Sequence, residues 1–132
     1  MNNRPIGAER TPALNEDKNM TLKEAINLAE DRINRVAKLE LRPWNIEGCF
    51  IELSKQAGDL AKLIMTYEEY YALSPDQVTP QYKDRLKDEI GDELADLLYV
   101  IIRIAKHYDV DLLEAHVKAR QKEDTFLTAN GV

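Results

Sequence analysis

From Leu22 onward, apolar residues recur three and four positions apart, the spacing of one face of an α-helix. Leu22, Ile26, Ala29, Ile33 and Val36 form the first such face. Phe50, Leu53, Ala57, Leu60 and Ile64 form the second, and Leu86, Ile90, Leu94, Leu97, Ile101 and Ile104 the third. Boundary signals divide the chain to match. Thr21 and Glu24 have the spacing of a capping box, in which each side chain takes up the other's free backbone donor. Arg42-Pro43-Trp44-Asn45 interrupts the repeat, and a second helix is predicted from about Ile46 to Ala72. Ser74-Pro75-Asp76 reads as a turn, and Thr79-Pro80 as an N-cap followed by proline at the first helical position. The third helix is predicted to reach about Tyr108. Asp111 and Glu114 open a fourth, through about Phe126. No segment alternates as a strand would.

The expected fold is all-α, a four-helix-bundle-like arrangement. It comprises a flexible N-terminal arm over 1–20, one helical domain over 21–127 and a frayed tail over 128–132. Between Leu97 and Ile104 the third helix is apolar on more than one side, through Tyr99, Val100 and Ile102. A helix apolar over so wide an arc needs cover on two sides, and a second subunit, in a homodimer or homotetramer, is one way to supply it.

At 132 residues the chain is long enough to bury a core as one domain. Its net charge of -6 leaves no basic excess to neutralise phosphates at large, so neither nucleic acid nor an anionic membrane is an expected partner. No run approaches the ~20 apolar residues of a membrane span. The polar stretch up to Met20 lacks the apolar segment of a signal peptide. A single cysteine, Cys49, suits a reducing compartment, and the localisation expected is cytoplasmic.

The chemistry lies in a correspondence between the second and third helices. Glu52, Gln56 and Asp59 are spaced by four and three, as are Glu89, Glu93 and Asp96, each 37 residues from its counterpart. At about 100° per residue each trio occupies a stripe roughly 60° wide beside the apolar face. Carboxylates brought together in one cleft repel unless a cation neutralises them, and magnesium is a hard ion that takes oxygen ligands. Acids on a solvated helix flank are also commonplace in a chain with 24 of them.

Gln56-Ala57-Gly58-Asp59-Leu60 and Glu93-Leu94-Ala95-Asp96-Leu97 resemble the two metal-binding motifs of the MazG-like all-α nucleoside triphosphate pyrophosphohydrolases. In that family Glu-x-x-Glu on one helix is followed by Glu-x-x-Asp on the next. The resemblance runs from about Trp44 to Phe126. It implies a MazG-type domain that uses Mg2+, with Mn2+ as a substitute, to cleave a (d)NTP to (d)NMP and pyrophosphate. Gln56, Asp59, Glu93 and Asp96 are the implied metal ligands, with Glu52 and Glu89 as candidates to activate water. The chain departs from the pattern at Gln56, an amide where the family has a carboxylate, and at Asp59, which has the shorter reach. That departure leaves open a catalytically silent helical oligomer that binds a nucleotide or protein through the same cleft. A relative acting on phosphoribosyl-ATP is disfavoured, because no further motif singles out that substrate.

Substrate-binding candidates follow from the same reading. Lys118 and Lys122 share a face of the fourth helix, and the family carries a lysine in this region. Arg103 continues the acid stripe and could reach phosphate or pair with an acid. Trp44, before the second helix, could stack on a base or be a packing residue. His107 and His116 show no pattern that suggests metal binding or nucleophilic catalysis, and Cys49 reads as a small core residue.

Overall fold

The computed structural model describes residues 19–71 and 74–132. Four helices, α1 (Leu22–Val36), α2 (Ile46–Tyr67), α3 (Pro80–His107) and α4 (Leu112–Ala129), are joined by short connections, with one 3-10 turn at Pro75–Gln77. There is no strand among the described residues. The expected all-helical class therefore holds; the arm expected over 1–20 lies almost wholly outside the described residues.

The N-termini form where local chemistry placed them. Thr21 Oγ1 accepts from the Glu24 backbone N–H, and the Glu24 carboxylate accepts from the Thr21 N–H at 2.7 Å. Those bonds to Thr21 hold the Glu24 carboxyl below its ordinary pKa. Asn45 caps α2 through Gly48, and Thr79 caps α3 through Tyr82. Asp111 caps α4, but only half of the expected box forms, because the Glu114 carboxylate turns instead to Lys118 at 2.6 Å.

The C-termini were less predictable. α2 stops at Tyr67, five residues before Ala72, which itself lies outside the described residues. Glu69 adopts a left-handed φ of 60°, the Glu69 N–H donates to the Thr66 carbonyl, and the Tyr70 N–H donates to the Met65 carbonyl. This is a Schellman closure with glutamate where glycine is usual. Lys83, from the first turn of α3, donates to the Tyr67 carbonyl and lies over the Tyr67 ring, so the end of α2 is tied to the start of α3. Asp109 closes α3 in the same way. α4 runs on to Ala129, past Phe126, and the Gly131 and Val132 N–H groups donate back to the Thr128 and Leu127 carbonyls.

The tie between Tyr67 and Lys83, and the approach of Asp59 to Glu93 further along, make α2 and α3 an antiparallel pair. This pair is the main packing unit among the described residues, and α1 lies on α3, where Lys106 donates to Asn34 and both Ile33 and Ile102 are buried. α4 touches the other helices only sparsely and buries none of its residues.

The expected core line is shifted. On α2 the buried residues are Cys49 and Gln56, with Leu53 and Leu60 half-buried, whereas Phe50, Ala57 and Ile64 are exposed. On α3, Leu86 and Val100 are buried, but Leu94 and Ile101 are not. The cause is geometric: α2 meets α3 along one edge of its apolar arc, which draws the neighbouring polar stripe inward and leaves the other edge open. Phe50 is 64% exposed, Ile51 69% and Leu94 53%. By helical geometry Phe50 and Leu94 lie on the side of the α2–α3 layer away from the acids, and Ile51 points away from α3.

Candidate metal centre

The antiparallel crossing inverts the correspondence read along the chain. Asp59 faces Glu93, so the two stripes run in opposite directions and place Glu52 and Glu89 toward opposite ends of the interface. Asp59, Glu89, Asp92 and Glu93 line one groove between α2 and α3, of about 460 Å3. Asp96 follows one turn beyond Glu93, close enough to act on its charge.

Glu93 is the electrostatic focus. Burial pushes its carboxyl above the ordinary pKa, and the charges of Asp59 and then Asp96 push the same way. Its Oε2 is enclosed and has no hydrogen-bond partner among the described residues. Lys55 partly offsets the acids, with its ammonium 3.6 Å from Glu52 and 3.5 Å from Asp59. Glu52 first, and Asp59 after it, raise the Lys55 pKa.

Gln56 lies inside the interface, 9% exposed. Its Nε2 donates to Glu52 Oε1 at 2.9 Å, while its Oε1 is buried without a donor among the described residues. The Tyr99 hydroxyl, one turn beyond Asp96, is a third enclosed polar atom with no partner among the described residues. Leaving a buried polar atom unpaired costs about 1–3 kcal/mol, and a hard cation is a group that bare carboxylate and amide oxygens can satisfy together. Among the described residues no three acid, histidine or cysteine side chains already stand together as a finished ligand set. What the fold brings together is Asp59 with Glu93 across the groove and Asp96 one turn beyond Glu93, while the Gln56 carbonyl oxygen is enclosed one turn before Asp59.

The remaining candidates are placed elsewhere. Arg103 is buried and ion-paired with Glu40 at 2.6 Å, so of the two roles its position left open it takes the pairing with an acid. The Arg103 guanidinium stacks 4.3 Å from the centre of the Trp44 ring, and the Trp44 N–H donates to the same glutamate. Trp44 thus sits at the start of α2, about 20 Å of helix away from Asp59, half-packed under Arg103. Lys118 pairs with Glu114, and neither it nor Lys122 lines the groove. Cys49 is a buried free thiol, as read.

Two features were not foreseen. Tyr99 was counted only as an apolar position, and Lys55 sits among the acids as their internal counter-charge. Its i+3 and i−4 spacing from Glu52 and Asp59 was a signal available in the chain. No family model matches the chain, and comparison with curated proteins and with solved structures finds no match either.

Proposed function

We propose that this chain is a magnesium-dependent nucleotide pyrophosphohydrolase of the MazG-like kind, converting a (d)NTP to (d)NMP and pyrophosphate. The observation that carries the reading is the approach of Asp59 to Glu93 across one groove, with the charge of Asp96 acting on Glu93 and with enclosed oxygens of Glu93 and Gln56 that have no partner among the described residues. Asp59, Glu93 and Asp96 would hold the ion by charge and Gln56 through its neutral oxygen; Mn2+ suits the same donors. An ion held there would neutralise phosphate oxygens and lower the pKa of the attacking water. Glu52 accepts the Gln56 amide hydrogen, which turns the carbonyl end away and keeps it free as a donor to the ion. Glu52 and Glu89 remain the candidates to take the proton of the attacking water.

The assembly belongs to the same reading. Phe50, Ile51, Ile64, Leu94, Leu98 and Ile101 leave the back of the α2–α3 layer apolar and open. Two such layers placed face to face make a four-helix core, so a homodimer, or a dimer of dimers, is proposed. Sedimentation at micromolar concentration should give a multiple of the 15.2 kDa chain mass; a monomer alone contradicts it.

Gln56 also favours a second reading, a silent helical oligomer, because a neutral amide buried against Glu52 is a stable arrangement without metal. Gln56→Glu separates the two. It buries a carboxylate next to Glu52, and without magnesium it should destabilise the fold by about 2 kcal/mol. In a working site magnesium reverses that loss, and calorimetric titration shows tighter binding than wild type. If magnesium neither binds wild type nor rescues Gln56→Glu, the silent reading replaces the enzymatic one.

A further inference from the structure

Resting on that metal reading, we infer that Lys62 of α2 and Arg85 of α3 are the cations that position the distal phosphates of a polyphosphate substrate. The groove that holds Asp59 and Glu93 does not end with them. It continues between the helices past Lys62 and Leu63 on one wall and Glu89, Leu86 and Arg85 on the other, reaching Thr66 and Tyr82. Lys62 lies three residues beyond Asp59, and Arg85 lies eight before Glu93, so the antiparallel crossing brings both toward the same end. The groove is therefore polar in the electrostatic sense, with acids at one end and one cation from each helix beyond them.

That order matches a magnesium-bound phosphate chain. The acids repel a bare triphosphate and admit one only through a cation, while the next phosphates along the chain need positive groups of their own. No other lysine or arginine lines this groove among the described residues. Arg103 is spent on Glu40, and Lys118 on Glu114, on a helix that barely touches the layer. Lys62 has no ion-pair partner among the described residues, and Arg85 is held only by a long contact to Glu89, at 3.7 Å with both side chains largely exposed. Such a pair is worth little, so a phosphate can displace it. Arg85 also lies over the Tyr82 ring, 5.2 Å from its centre, which steadies the guanidinium in the groove. The phosphate chain would then lie along the groove, from Asp59 and Glu93 toward Tyr82.

Inorganic tripolyphosphate, titrated in the presence of magnesium, tests this without requiring the base to be known. Lys62→Met and Arg85→Met should each weaken its binding by about tenfold, while magnesium affinity and melting temperature stay those of wild type. Arg32→Met, which removes an exposed charge on α1 outside the groove, controls for loss of net charge and should bind normally. The inference is overturned if both groove variants bind tripolyphosphate like wild type, or if Arg32→Met loses as much as they do. Wild type that takes up magnesium but no tripolyphosphate also overturns it, leaving the metal reading intact. If wild type binds neither, the metal reading fails as well.

Discussion

Asp96→Asn should remain folded yet release pyrophosphate on the order of 10²-fold more slowly than wild type, a loss of roughly 3 kcal/mol of transition-state stabilisation. Its carboxylate is exposed and one turn from Glu93, where it helps push the Glu93 proton affinity up. In the metal-free protein that charge is a burden, so its removal relieves repulsion. In the proposed loaded site the same charge would help to hold the ion that neutralises phosphate. The variant should therefore melt no lower than wild type while losing magnesium affinity and turnover together. An ordinary surface acid shows neither loss. Full activity in Asp96→Asn contradicts the assignment of the metal ligands.

Arg103→Met should destabilise the fold by about 3 kcal/mol or more, because it strands a partner in the interior. The side chains of Arg103 and Glu40 are only 9% and 10% exposed. Without the guanidinium, the Glu40 carboxylate keeps one donor, the Trp44 backbone N–H at 3.2 Å. The stacked Trp44 ring also loses its cover. Removing both charges in Glu40→Leu/Arg103→Met should recover much of the loss, since an apolar pair of similar volume often replaces a buried ion pair at little cost. Urea denaturation of the two single variants and the double variant gives the coupling directly. Single and double variants equally unstable would mean that packing around Trp44, rather than the buried charge, sets the cost. The pair also fixes the connection between α1 and α2 onto α3, so its role in function is to seat the start of α2.

What could be read along the chain was what depends on near neighbours. The caps at Thr21, Asn45, Thr79 and Asp111 each act within three residues, and all four helices start where these side chains allow. The spacing of Glu52, Gln56 and Asp59 against Glu89, Glu93 and Asp96 was equally local, and it led to the groove. Rotation of α2 was not legible, because its apolar arc is wider than its contact with α3 and nothing local says which edge is covered. For that reason Gln56 lies inside while Phe50 stays out. The direction of pairing was hidden too: a 37-residue match aligns Glu52 with Glu89, whereas an antiparallel crossing separates them. Arg103 and Glu40 stand 63 residues apart, and no periodicity announces such a partner. The sparse contact of α4 depends on what surrounds it and not on its own capping or composition.

If Asp59, Glu93 and Asp96 hold magnesium as proposed, the groove between α2 and α3 should cleave a nucleoside triphosphate between its α- and β-phosphates. Product analysis after incubation of the purified protein with each common (d)NTP, with and without magnesium, decides this. Nucleoside monophosphate and pyrophosphate should appear in equal amounts from at least one of them, only when the metal is present. Release of orthophosphate instead, or no product from any triphosphate with magnesium or manganese, would contradict it.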